Sequence, residues 1–432
     1  MRDLQGFALT RHTILTQKPN NKIHWLAYAL AKHLTNDVEG AVNVIDIYLG
    51  TLTNESPEKQ RGFESSELAL YRNKLLTEIP NNEEKALKHL EECKHVVVDE
   101  GSWLQTKAEL LLKLGDYNEA KDIYILLLKR GLTENFSVHN GYMCAVLKLD
   151  KEIFLPTFKR KGTNTIATLK QLTTEQKQIL LQSYENEITQ INTRSRAYKS
   201  ICLTLIEGDE NIKTALDMYC RYDLSKGTPS LGSDLRSLFL MKDKNGLLKK
   251  AIDPLDVKVH PKFQMIIELV DGYIGSLTST NAFPGSTTQE PPSTLLWTMY
   301  LRSFLHELCG EYKEALDMID KCLEHTPTLV DLYERKGRIL KLSGDINAAA
   351  DCLDVGRELD KQDRYINNKT TKYLLRANRD DDARKTISLF TVHEGNPEQN
   401  LYDMQCTWYE LELAACYARK GQWGLSLKKF SK

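Results

Sequence analysis

The sequence predicts an all-α fold built from a repeated pair of helices, and three observations predict it. Residues 309–315 (CGEYKEA) and 343–349 (SGDINAA) rhyme at an offset of thirty-four residues. The same small and large apolar positions recur along most of the chain at that period. At 432 residues the chain is also longer than one compact core usually holds, so it has several domains or grows by repetition. A thirty-four-residue, two-helix period is the tetratricopeptide pattern. The expected architecture is a tetratricopeptide-type α-α superhelix, a right-handed helical-repeat solenoid.

Each repeat position has a packing reason. The pattern wants small residues at positions 8 and 20, where the paired helices cross and only a short side chain permits close approach. It wants a turn residue near 15, and a large apolar residue at 24 to fill the seam to the next helix. With Ala315 at position 20, position 15 is Gly310 and 24 is Ile319; adding thirty-four gives Gly344, Ala349 and Leu353, then Asn378, Ala383 and Ile387. Gly and Asn suit the left-handed turn that ends a first helix.

The N-terminal half carries the pattern as well. Ala86 and Ala120 lie thirty-four apart with Leu90 and Tyr124 at position 24; Ala41 has Ile45, Ala215 has Tyr219, and Ser426 has Gly421 and Phe430. Eight candidate repeats result. Position 8 is small in six of them (Ala29, Ala108, Ser303, Gly337, Thr371 and Ala414), and Lys74 and Leu203 depart.

The period breaks twice. Between Ala120 and Ala215 there is room for two degenerate pairs, with residues 173–222 helical and 155–168 a loop. Between Ala215 and Ala315 lie residues 225–234 and 276–293, the second rich in Ser, Thr, Pro and Gly and expected as a mobile surface loop. The expected organisation is an N-terminal repeat arm over 1–275, the polar loop 276–293 and C-terminal repeats over 294–432. Helix-like sequence starts at residue 2 and LKKFSK stops inside a second helix, so the chain reads as an internal piece of a longer one.

Composition narrows the function classes. Lys plus Arg number 58 against 59 Asp plus Glu, so no global charge bias points to DNA or a membrane. The longest apolar run, residues 123–128, is far short of a membrane span, and the N-terminus lacks a signal-peptide core. Nine scattered cysteines without a Cys-x-x-Cys pair read as reduced thiols of a cytosolic protein, packed as small hydrophobes.

Catalytic and cofactor motifs are missing. There is no phosphate loop, no G-x-G-x-x-G, no His-Glu-x-x-His and no G-x-S-x-G. His306-Glu307 reads as a surface pair, Arg419 to Gly424 as a repeat turn, Cys93 and Cys322 as core, and Trp297, Trp408 and Trp423 as packing residues. Two basic clusters remain: Lys159, Arg160 and Lys161 in a loop, and Arg419, Lys420, Lys428, Lys429 and Lys432 in the last repeat. Each is a solvated face or a polyanion contact. Some repeat adaptors clamp a C-terminal carboxylate with Lys at position 5 and Asn at 9; here those positions include Tyr300 and Phe304, then Glu334 and Arg338, and the clamp is not matched.

Several stretches are more specific than the repeat consensus: residues 2–7 (RDLQGF), 10–19 (TRHTILTQKP), 225–231 (SKGTPSL), 290–297 (EPPSTLLW), 325–333 (HTPTLVDLY), 363–378 (DRYINNKTTKYLLRAN) and 400–412 (NLYDMQCTWYELE). In these the chain resembles the auxiliary subunit of the N-terminal acetyltransferase A (NatA) complex. The resemblance implies a non-catalytic scaffold, not an enzyme. It would bind and activate the catalytic acetyltransferase subunit and tether it to ribosomes in the cytoplasm for acetylation of nascent chains. It implies no cofactor of the chain's own, acetyl-CoA on the partner, and inositol hexakisphosphate at the subunit interface, held here by Lys428 and Lys429 with Arg419 and Lys420. Lys159, Arg160 and Lys161 would be ribosome contacts. The NatE catalytic subunit and Huntingtin-interacting protein K are further partners it implies. Residues from about Leu295 onward are expected to face the catalytic subunit. The alternative is a generic repeat adaptor of another complex.

Overall fold

The computed structural model describes residues 3–52, 62–149, 169, 172–189, 191, 195–206, 209–239, 253–391 and 396–431. Their regular structure is helical, and no strand occurs among them. The chain forms two compact units, 1–207 and 208–432.

The first unit contains α1 (Leu4–Gln17), α2 (Lys22–Leu34), α3 (Val38–Thr51), α4 (Phe63–Glu78), α5 (Glu83–Glu92), α6 (Glu100–Leu114), α7 (Tyr117–Lys129), α8 (Phe136–Leu147), α9 (Thr174–Ser183) and α10 (Arg196–Leu205). The second contains α11 (Asp209–Ser225), α12 (Leu231–Leu235), α13 (Pro254–Lys258), α14 (Pro261–Thr280), α15 (Pro292–Leu308) and α16 (Tyr312–His325). It continues through α17 (Val330–Ser343), α18 (Ile346–Leu359), α19 (Arg364–Arg376), α20 (Asp380–Ser388), α21 (Pro397–Asp403), α22 (Thr407–Arg419) and α23 (Trp423–Phe430). Within each unit most helices pack on their neighbours in sequence.

Seven of the eight expected repeats form as helical pairs. Their turns sit at Asn36, Asn81, Gly115, Gly310, Gly344, Asn378 and Gly421, all with positive φ. Asn and Gly accept this left-handed conformation, which lets the chain reverse in two or three residues. Five residues on, Ala41, Ala86, Ala120, Ala315, Ala349 and Ala383 are fully buried, and Ser426 nearly so. Ala29, Ala108, Ser303, Thr371 and Ala414 are equally buried at position 8. A Cβ on Gly337 would stand 2.9 Å from Leu353 Cγ and 3.3 Å from the Ala349 carbonyl, so the α17–α18 crossing is too close for a side chain.

Polar residues also pin the crossings. Ser303 Oγ donates to the Ala315 carbonyl at 2.8 Å and Ser426 Oγ to the Ala414 carbonyl at 2.9 Å. At α4 the exposed Lys74 is not the crossing residue. Asn73, one residue earlier, is buried there and donates through Nδ2 to the Ala86 carbonyl at 2.6 Å. At position 24, Tyr124 lies against Gly141 of α8, where a Cβ would come within 2.0 Å of its ring.

The eighth expected repeat, Leu203 on α10 with Ala215 on α11, spans the boundary of the two units, and Ala215 is only half-buried. Glu210, at its turn position, starts a helix instead. Within its own unit α11 packs on α14 and α15. The polar stretch 276–293 also differs from the expectation, because α14 runs on to Thr280. The hydroxyls of Thr278, Ser279 and Thr280 find their acceptors within the helix, bonding back to carbonyls one turn earlier. Asn281 then turns the chain with a φ of 53°, and Phe283 is buried edge-on against Tyr273. Residues 155–168 lie outside the described residues.

Two predictions test this account. Ala315→Leu should cost about 1–3 kcal/mol through overpacking, whereas Ala215→Leu should change stability by less than about 0.5 kcal/mol; urea midpoints of the two variants decide it. Burial, with help from Arg72, pushes the pKa of His89 down to about 4. The unfolded chain therefore binds more protons between roughly pH 6.5 and 4. The contribution of neutral His89 is complete above pH 6.5 and is lost as pH falls through that window, so His89→Gln should flatten the acid limb of the melting temperature against pH.

Candidate functional site

The first helices of four consecutive repeats in the second unit, α15, α17, α19 and α22, carry a ladder of charged side chains at repeat spacing. On α15, Glu307 is buried and accepts from two arginines of α17: Arg335 Nη1 at 2.8 Å and Arg338 Nε at 2.6 Å. Arg335 also lies over the Tyr300 and Phe304 rings, 5.1 and 4.8 Å from their centroids. On the next rung, Lys369 of α19 pairs with Glu334 of α17. On the last, Arg376 and Lys372 of α19 reach Glu412 of α22 at 2.8 and 3.3 Å. These pairs bridge neighbouring repeats, and each planar guanidinium fixes its carboxylate by direction as well as charge.

Lys341, in the last turn of α17, is the exception. It has no ion-pair partner among the described residues. Burial, then the nearby Arg376, Arg338 and Lys369, lower its pKa below the usual lysine value. Its ammonium stands 5.5 Å from the centroid of Tyr373, which is itself buried. The carboxylate-clamp positions 5 and 9 include Glu334 and Arg338 but not Lys341 or Arg376. Position 12, which aligns Glu307 with Lys341, and Arg376 one place further along α19 would have found the ladder.

The terminal basic residues are dispersed among separate partners. Arg419 donates to Asn378 Oδ1 at 2.9 Å and to the Leu375 carbonyl at 2.8 Å, while Lys420 pairs with Asp380. Lys429 bridges Glu398 at 2.9 Å and Glu410 at 3.1 Å. Burial opposes its charge, but the two carboxylates outweigh that and raise its pKa. Lys428 is exposed and without an ion pair among the described residues. Lys159, Arg160, Lys161 and Lys432 lie outside the described residues.

His306 Nδ1 lies 2.8 Å from Glu311 Oε2 and Glu307 accepts from the two arginines, so the two residues of the His-Glu dipeptide have separate partners. No metal-holding group of three His, Cys, Asp or Glu side chains occurs among the described residues. Cys322 is core, with its thiol pushed up to about 12 by burial. Trp297 and Trp408 are half-buried, but Trp423 is 70% exposed and not core. It shares α23 with exposed Leu427 and Phe430, because only the Ser426 side of that helix meets α22. No described helix is long and apolar enough to cross a membrane.

The family-like stretches have structural reasons. In 225–231, Gly227 has a φ of 66°, and a Cβ there would come within 2.6 Å of Trp297 Nε1 on α15. In 363–378, Asn367 and Thr370 are buried and donate to the Thr386 and Leu353 carbonyls at 3.1 and 3.2 Å. Stretch 400–412 contains Glu410 and Glu412, the carboxylates that anchor Lys429 and Arg376.

Paired helices, left-handed turns and a cross-repeat charge ladder define a helical-repeat protein of the tetratricopeptide type. The family profile of "N-terminal acetyltransferase A, auxiliary subunit" matches residues 63–432, and the chain belongs to that family. It is 37% identical over 430 residues to the N-terminal acetyltransferase A complex auxiliary subunit NAA15 of Arabidopsis thaliana, covering 100% of this chain and 44% of that protein. It is 31% identical over 431 residues to the NatA auxiliary subunit N-alpha-acetyltransferase 16 of Homo sapiens, covering 99% of this chain and 44% of the relative. The chain thus spans under half the length of these curated relatives. Among solved structures it resembles that of Naa15/Naa10 bound to HypK-THB, with a TM-score of 0.74 and 27% identity, over 100% of this chain and 57% of that one.

The ladder predicts a sharp contrast. Glu307→Ala leaves two guanidiniums without their carboxylate, one of them buried, and should cost about 3–5 kcal/mol. Glu412→Ala exposes cations already near water and should cost about 1 kcal/mol or less. Urea denaturation of both variants measures the difference.

Proposed function

We propose that the chain acts as the non-catalytic scaffold of a NatA complex. It binds and activates the catalytic acetyltransferase subunit and tethers it to ribosomes for co-translational N-terminal acetylation. The observation that carries this reading is similarity over the whole chain to a Naa15 solved together with Naa10 and HypK-THB. Catalysis and acetyl-CoA belong to the partner in this reading. The chain's part is rigidity: helices locked at their crossings and ion-paired between repeats hold one surface in one shape, and a partner docked on it gains a fixed arrangement of its own loops. The surface from about Leu295 onward is the proposed contact, and the NatE catalytic subunit and Huntingtin-interacting protein K are further proposed partners.

Inositol hexakisphosphate is proposed to meet this surface through Lys428. Lys429, Lys420 and Arg419 join only by giving up Glu398, Glu410, Asp380 or Asn378, so the set does not form a ready polyanion cradle. Ribosome contact through Lys159, Arg160 and Lys161 stays a proposal from sequence.

Co-expression with the catalytic subunit, affinity purification and an acetylation assay on a Ser-starting peptide test the reading. Co-purification with raised activity is the expected result. Folded chain that leaves the subunit behind, both alone and when extended to the length of the relatives, would overturn it.

A further inference from the structure

We propose that the cationic face at Arg338, Lys341 and Arg376 binds an extended acidic peptide segment of a partner protein. The proposal stands on the ladder and does not depend on the identity of the catalytic partner.

Three observations meet at this face. The first is an imbalance of charge. Arg335, Arg338, Lys341, Lys369, Lys372 and Arg376 face three carboxylates, Glu307, Glu334 and Glu412, and every cation but Lys341 is paired with one of them. The second is confinement. Lys341 is half-buried at the end of α17, with Arg338 one turn back on its own helix and Tyr373 of α19 5.5 Å away. A lysine in the last turn of a helix is favoured by the helix dipole, which accounts for its placement but not for its crowding by like charges. The third is the sign of that crowding. After burial, the groups that act most on Lys341 are the cations Arg376, Arg338 and Lys369, ahead of the opposing Glu307. A carboxylate brought in from outside relieves this repulsion and forms charge-assisted hydrogen bonds in a partly dry site.

The same residues favour a peptide over nucleic acid. Glu307, Glu334 and Glu412 are interleaved with the cations, and Asp331, near both Glu334 and Asp363, adds negative charge at the other end of the helices. A continuous phosphate backbone would run along those carboxylates. A peptide places its acidic side chains only where the cations are and its neutral ones opposite the carboxylates.

The test is fluorescence anisotropy of the whole chain with a labelled, end-blocked Asp/Glu-rich peptide at about 50 and 150 mM salt. Binding at low salt that weakens at high salt is expected, with Lys341→Met reducing affinity tenfold or more and Lys341→Arg retaining it. Lys385→Met removes an exposed lysine of α20 and should leave binding unchanged. The melting temperature of Lys341→Met should equal or exceed that of the parent, since like-charge crowding is removed. Equal losses in Lys341→Met and Lys385→Met would overturn the proposal. So would no binding at low salt, or a single-stranded oligonucleotide of equal charge binding as tightly as the peptide.

Discussion

Everything in this molecule depends on how closely two helices approach at one crossing per repeat. Fully buried Ala, Ser, Thr or Gly at positions 8 and 20 remove the side-chain volume that would otherwise hold the helices apart. Close approach then lets large residues such as Ile319, Leu353 and Tyr124 fill the seams, where all three are fully buried. The left-handed Asn or Gly five residues before each crossing is the other half of the same constraint, because it brings the second helix back along the first.

The crossing also sets the register of the charged ladder. Because the repeats keep one period, side chains roughly thirty-five residues apart come to face one another, and Arg335, Lys369 and Arg376 find their acceptors on adjacent first helices. Buried pairs such as Arg335 with Glu307 contribute orientation more than stability, since desolvation consumes much of their attraction. That orientation suits a scaffold, whose use lies in presenting one surface in one arrangement. The unmatched Lys341 is the point at which the ladder is left incomplete within the chain.

The repeat lattice was legible because it rests on residue size and backbone freedom, which are local properties. Gly344, Ala349 and Leu353 announce a turn, a crossing and a seam with no reference to the rest of the chain. Local reasoning took the hydroxyl-rich end of α14 for a loop, because Ser and Thr have weak helix preference, yet the helix runs on to Thr280 with those hydroxyls bonded to its own carbonyls. Trp423 shows the same limit: its size suits a core, but burial requires a neighbour on that side of α23.

By itself the sequence determined the helical period, the turns at Gly310, Gly344, Asn378 and Gly421, a small residue at six crossings, and through its family-like stretches the membership in the NatA auxiliary-subunit family. Periodicity and motif identity are one-dimensional, so they survive without coordinates. The tertiary structure alone decided which charges meet. It assigned Lys429 to Glu398 and Glu410, Lys420 to Asp380 and Arg419 to Asn378, and left Lys341 among cations. Pairing between side chains thirty or forty residues apart depends on the packing of several helices together, and composition cannot encode that.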